Sequence, residues 1–238
     1  MTASAVAHLC GVPRVALYGE IGSTMDAAHE LAEHGAPSGT LVLTDRQTAG
    51  RGRYGRAWTS APGTALTVTL IERPTDPRAT LVLSLRLGLR AAPVLDRFAP
   101  HQVQLKWPND LLLPEGKLGG VLVEARWRNQ RLEWVAIGIG INVVSPAVPD
   151  AAGLSAGVHR LDLLGDLVPA LRAGVAVPGG LTEEEIAAFA TRDWARGRRA
   201  ATPAVGTVRG LSPSGALIIE TTEGPVECVT GSLVLTGA

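Results

Sequence analysis

Apolar positions along the chain switch between two periods, short β-branched runs and longer stretches with helical spacing, and the two alternate over the first two hundred residues. Residues 15–18 (VALY) predict a strand. Ser23 with Asp26 three positions on has capping-box spacing, and a helix is expected from there to about His34, with Met25, Ala28, Leu31 and Ala32 on one face and Gly35 as its stop. Residues 40–44 and 64–71 predict strands flanking a polar loop. Residues 81–98 predict a buried helix interrupted or ended near Pro93. Three strands are expected at 103–107, 119–127 and 132–143, then helices at 161–173 and 183–195, the second opened by Thr182 with Glu185. From residue 200 the pattern changes to short strands at 205–208, 216–220, 225–229 and 233–235, separated by Ser-Pro-Ser-Gly and Glu-Gly turns, which predicts a small closed β-barrel. The expected organisation is therefore α/β or α+β at 1–199, with a small all-β segment at 200–238.

Composition narrows the function classes. The 238 residues are 46% hydrophobic and 18% charged, ordinary for a globular protein, and Lys+Arg equals Asp+Glu at 22 each, so no global field favours DNA or an anionic membrane. No apolar run approaches the length of a bilayer span and the first residues do not read as a secretory leader, so a cytoplasmic protein is expected. Cys10 and Cys228 lack metal or disulfide spacing and the five histidines form no paired-ligand motif; no protein-held metal is expected. Of the 22 basic residues only Lys106 and Lys117 are lysines, and they lie close together.

Against this neutral background, Gly50, Arg51, Gly52, Arg53, Gly55 and Arg56 concentrate charge and backbone freedom in seven positions. Arginine forks fit carboxylate and phosphate oxygens, and glycine lets the backbone approach a ligand. Alone, such a run also fits a solvated or nucleic-acid-binding loop. Three further segments exceed the needs of a fold: Lys106 to Asp110 (KWPND), Lys117 to Gly120 (KLGG) and Gly138 to Asn142 (GIGIN). Glycines inside an apolar strand mark close approach of a ligand or of another backbone.

Ser23-Thr24, QTAGRGRYGR from Gln47 to Arg56 with Trp58, KWPND, KLGG and GIGIN, in this order, resemble the biotin-protein ligases over nearly the whole chain. Met25 replaces the Asn that often follows Ser-Thr there, and Ser232 follows Gly231 where many carry an acid. The resemblance implies the mixed-sheet catalytic domain of the biotin/lipoate ligase type with a small C-terminal SH3-like β-barrel. It implies a two-step reaction: biotin and ATP give biotinyl-5′-AMP and pyrophosphate, then a lysine of the biotin carboxyl carrier protein of acetyl-CoA carboxylase displaces AMP. Biotin-side residues would be Ser23, Thr24, Gln47, Arg51, Gly52, Arg53, Lys117, Gly119, Gly120, Gly138 and Gly140. Nucleotide-side residues would be Arg51, Arg53, Arg56, Trp58, Asn109, Lys117 and Asn142. Arg53, Lys117 and Asp110 would be catalytic, Asp110 receiving the acceptor lysine's proton, and Mg²⁺ would arrive with ATP. Only 22 residues precede Ser23, too few for the DNA-binding module of some relatives, so no DNA partner is expected; a homodimer through sheet edges is. A lipoate or octanoate ligase or transferase, and a non-catalytic biotin-binding module, are the alternatives.

Overall fold

The structure, a computed structural model, describes residues 2–237; Met1 and Ala238, the outermost positions of the two expected segments, lie outside the described residues. In chain order the elements are α1 (Ala3–Cys10), β1 (Arg14–Ile21), α2 (Thr24–Glu33), β2 (Thr40–Gln47), β3 (Ala65–Glu72), α3 (Leu83–Asp96), β4 (Gln104–Lys106), β5 (Asp110–Leu113), β6 (Gly116–Arg128) and β7 (Arg131–Asn142). There follow α4 (Leu164–Val175), α5 (Glu183–Arg192) and the short strands β8 (Arg199–Thr202), β9 (Gly206–Leu211), β10 (Leu217–Thr221), β11 (Gly224–Cys228) and β12 (Val234–Leu235). Helix α3 runs through Pro93 and ends three residues later. Among the described residues no helix is long and apolar enough to cross a membrane.

Strands β1 to β7 form one sheet in the order β1-β2-β3-β7-β6-β5-β4. The β1–α2–β2 crossover makes the first pair parallel, and every other pair is antiparallel, so this is the expected mixed sheet. Side-chain alternation decides what lies on each face. Leu41, Leu43, Leu66, Val68, Leu70, Val135, Ile137, Ile139 and Ile141 join α1, α3 and α4 in the large core. Val42, Ile71, Trp134 and Ala136 point the other way, where α2 covers them with Met25, Ala28 and Ala32. Ser23 caps α2 by accepting from the Met25 N–H at 3.2 Å; Asp26 makes no reciprocal capping bond and faces the Gly/Arg loop instead.

The C-terminal strands correct the barrel expectation. They form an open five-stranded sheet, β11-β10-β9-β8-β12, in which no pairing among the described residues joins β11 to β12. Strand β11 is mostly exposed and carries Pro225, which cannot donate to a further ladder, and β12 is two residues long with a register shift against β8, too short to carry a closing seam. Among the described residues neither the closed barrel read from the turn pattern nor the SH3-like barrel implied by the family resemblance is present.

Helix α3 is fastened to α5 by a buried charge pair. The Arg86 side chain is fully buried; its Nε and Nη2 donate to both Glu185 oxygens at 2.7 and 2.9 Å, and its remaining donors reach the carbonyls of Val177, Gly179 and Gly180. Burial opposes the Glu185 charge, but the bonds from Arg86 and Thr182 outweigh it and hold the carboxyl below its ordinary value. Glu185 therefore contributes stability above the unfolded carboxylate range, and that contribution is lost as pH falls through its lower folded value. Removing one partner strands the other, so Arg86→Met is expected to cost about 3–5 kcal/mol in urea unfolding at pH 7. A loss below about 1 kcal/mol would contradict this role for the pair.

Candidate active site

The cavity lies on the α2 side of the large sheet, just past the helix N-terminus, where the side chains of β7 taper. On that face β7 presents Trp134, Ala136, Gly138, Gly140 and Asn142 in succession, opposite Gly120 and Leu122 of β6 and Thr67 and Thr69 of β3. An added Cβ at Gly138 would stand 2.9 Å from the Met25 sulfur, and one at Gly140 2.6 Å from the Trp58 ring. The glycines thus admit two large side chains from outside the sheet. Met25, the residue that departs from the family pattern, is buried and uses this room. Trp58 lies on Gly140 with an indole N–H that meets no acceptor among the described residues.

Around this floor are Thr24, Gln47, Arg51, Gly52, Arg53, Arg56, Trp58, Asn109, Asp110, Lys117, Gly120, Gly138 and Gly140, enclosing about 140 Å³. Ser23, Gly119 and Asn142 do not line it. Ser23 caps α2. Gly119 serves the sheet itself, since a Cβ there would meet the Gly140 carbonyl oxygen at 2.2 Å. Asn142 donates to the Lys117 carbonyl at 3.2 Å and Asn109 to the Val121 carbonyl at 3.0 Å, so both amides brace the strand carrying Lys117. Gln47 Oε1 accepts from the Thr24 N–H and hydroxyl at 2.7 and 2.9 Å, and Thr69 donates to the same hydroxyl at 2.9 Å.

A bulge directs Lys117. The β5–β6 register shifts between Leu111 and Leu112, leaving Leu118 as the extra residue, and Leu118 drops into the large core while Lys117 joins the face of Gly120 and Asp110. There its ammonium lies 2.5 Å from Asp110 Oδ1. The pair is partly exposed, the setting in which ion pairs contribute only about 0–1 kcal/mol, so an incoming anion can replace Asp110 at little cost.

The charge balance of the lining is one-sided. Arg53, Arg56, Lys106 and Lys117 face a single acid, Asp110, in a chain of zero formal net charge, while Arg51, the fifth cation of the lining, is paired with Glu124 and Asp26. The sequence drew attention to Lys106 through lysine scarcity but did not place it in the site; its ammonium lies 4.9 Å from the Trp194 ring centroid. Burial pushes the Lys106 pKa down, Lys117, Arg56 and Arg198 add to this, and Asp110 opposes them. Ser232, which the sequence marked only as a departure from the family pattern, and Leu233 also line the cavity, because docking of the second sheet brings them there. Arg53 donates to the Gly231 carbonyl and Arg56 to the Ser232 hydroxyl, both at 3.4 Å, and the Trp107 indole donates to the Gly215 carbonyl at 3.0 Å.

Residues 19–142 match the biotin/lipoate A/B protein ligase family. The chain is 44% identical over 124 residues to the bifunctional ligase/repressor BirA of Bacillus spizizenii, covering 52% of this chain and 38% of that protein. It is 35% identical over 144 residues to the biotin–(acetyl-CoA-carboxylase) ligase of Paracoccus denitrificans, covering 57% of this chain and 56% of that one. The chain thus spans well under two thirds of the length of these relatives. Its fold superposes on the biotin protein ligase of Aquifex aeolicus, solved with biotin and ATP, with a TM-score of 0.76 and 26% identity over 94% of this chain and 98% of that chain.

The two kinds of glycine separate experimentally. Gly119→Ala forces backbone apart and is expected to cost about 1–3 kcal/mol in thermal or urea unfolding, whereas Gly140→Ala meets a side chain that can swing away and costs less. Equal losses would contradict the distinction.

Proposed function

Because the chain belongs to the biotin/lipoate A/B protein ligase family, we propose that it is an ATP-dependent biotin-protein ligase that forms biotinyl-5′-AMP and transfers biotin to a lysine of a biotin carboxyl carrier protein of acetyl-CoA carboxylase. The observation that carries the reading is the pairing of a glycine-floored cavity with four cations, Arg53, Arg56, Lys106 and Lys117, against one acid, Asp110. Adenylation brings a carboxylate against a triphosphate, two anions that repel, and positive charge fixed at their meeting point lowers the barrier.

Biotin would lie along the floor of Gly120, Gly138 and Gly140, its polar ring toward Thr24 and Gln47 and its edge against Arg51 and Gly52, with Ser23 and Gly119 supporting the helix and the sheet from outside the lining. Arg53, Arg56 and Lys117 would gather the carboxylate and phosphate oxygens. Trp58, Asn109 and Asn142 would stand on the nucleotide side, the two asparagines by holding the strand of Lys117. Mg²⁺ would travel with ATP: among the described residues no three His, Cys, Asp or Glu are grouped to hold a metal, and the acid on the cavity wall is paired with Lys117. The ion's ligands would then be phosphate oxygens and water.

Once Lys117 turns to the phosphates, Asp110 is released to accept a proton from the acceptor ammonium; the neutral amine attacks the mixed anhydride, the C–N bond forms as the C–O bond to AMP breaks, and the second amine proton passes to the departing AMP phosphate or to water. The hairpin carrying Arg53 would shield the anhydride from water until then.

Intact-mass analysis of a purified carrier domain after incubation with enzyme, ATP, Mg²⁺ and biotin is expected to show one added biotinyl group, absent with Lys117→Ala. Acceptance of lipoate or octanoate instead would move the function to the sister class, and transfer of no acid would leave a binding module. Asp110→Asn is expected to keep adenylate formation and slow transfer by roughly 10²-fold or more, the scale of general acid–base assistance; transfer at the wild-type rate would remove Asp110 from the mechanism. Arg53→Gly is expected to release biotinyl-AMP and label bystander proteins, checked by streptavidin blotting of a mixture of carrier and unrelated protein; unchanged selectivity would contradict the shielding role.

A further inference from the structure

We propose that Glu124 is a positioning residue that acts through Arg51, anchoring the hairpin that covers the cavity and dividing the loop's three arginines into one fixed post and two free cations. Arg51 donates from Nε and Nη2 to the two Glu124 oxygens, each at 3.1 Å, and from Nη1 to Asp26 at 2.7 Å. A two-pronged bond of this kind fixes direction as well as distance. Glu124 is held from its other side: His29 Nε2 stands 3.0 Å from Oε2, and the buried Trp134 indole donates to His29 Nδ1 at 3.0 Å. With Nδ1 accepting, the neutral ring carries its proton on Nε2 and donates it to Glu124. Burial opposes the Glu124 charge, and the bonds from Arg51 and His29 outweigh it, keeping the carboxyl below its ordinary value.

Residues from α2, β6 and β7 thus converge on one guanidinium. Arg51 is also where the hairpin begins. It pairs with Ala57, Gly52 N–H donates to the Arg56 carbonyl at 2.7 Å, and Trp58 N–H to the Gly50 carbonyl at 2.9 Å, so residues 50–58 move as one unit. Fixing Arg51 places the tip. Arg53 and Arg56 at that tip meet no carboxylate among the described residues, only neutral acceptors at 3.2 to 3.4 Å, which leaves their charge for a ligand. The same residue type therefore does two jobs within one motif, and the difference is set by a glutamate 73 positions away.

What the hairpin covers rests on the ligase reading; how it is anchored does not, and the test separates the two. Limited trypsin digestion of the folded protein, followed by intact mass, reads cleavage after Arg53 and Arg56. Glu124→Gln, which keeps shape and removes charge, is expected to speed this cleavage roughly tenfold, with Glu124→Asp in between. Glu72→Gln, which breaks a pair with Arg172 elsewhere on the sheet, is expected to leave it unchanged. Arg51→Ala, which also gives up the bond to Asp26, is expected to be at least as fast, and Arg51→Ala with Glu124→Gln no faster than Arg51→Ala alone, since Glu124 acts through Arg51. In the same samples, biotinyl-AMP retained on the enzyme after gel filtration is expected to fall roughly tenfold with Glu124→Gln. Cleavage at the wild-type rate in both Glu124 variants, or additive effects in the double variant, would overturn the proposal. Wild-type protein that shows the cleavage pattern but forms no adenylate would support the anchor and refute the ligase reading.

Discussion

The cavity depends on the period-2 alternation of β7, which sends Ile137, Ile139 and Ile141 into the large core while its other face tapers from Trp134 through Ala136 to Gly138 and Gly140. A sheet face without side chains is unstable unless something else covers it. Near Trp134 the cover is the body of α2; over Gly138 it is Met25 of the helix's first turn, and over Gly140, past the helix N-terminus, it is Trp58, side chains that come from outside the sheet. The fold thus places a bed of backbone at the place where a loop rich in cations arrives. Everything else in the site is a matter of holding charge above that bed.

Charge is held in two ways. Arg51 is saturated by Glu124 and Asp26, and Arg86 is buried against Glu185 outside the cavity lining; both are structural. Lys117, by contrast, has a single partly exposed partner, and Arg53 and Arg56 have only neutral ones. A polyanion entering the cavity displaces weak contacts and leaves the strong ones intact. With a net charge of zero, the attraction is confined to that region rather than spread over the surface.

Much of this was legible in the sequence, and the failures have physical causes. Helix α2, the strands β2, β3, β6 and β7 and the Gly/Arg loop were read because periodicity and glycine placement are local signals. Strands β5 and β8 were missed, being four residues each, and Asp26 was read as half of a capping box when its partner is Arg51. The barrel failed because turn spacing counts strands but not seams: β11 and β12 never meet. Gly119 and Gly140 look alike in sequence, yet one relieves contact with backbone and the other with a side chain. Glu124 and Leu233 gave no signal as site residues and Ser232 only that of a departure from the family pattern, since their place at or beside the cavity comes from pairings across the sheet and from docking of the second sheet.

The most direct test of the account is biotin-dependent exchange of labelled pyrophosphate into ATP, measured without any acceptor protein. It isolates the step for which the cavity's floor and cations are proposed. Exchange that requires biotin and is not supported by lipoate or octanoate is the predicted result. Absence of exchange in well-folded protein, or equal exchange with octanoate, would contradict the claim that this cavity builds biotinyl-5′-AMP.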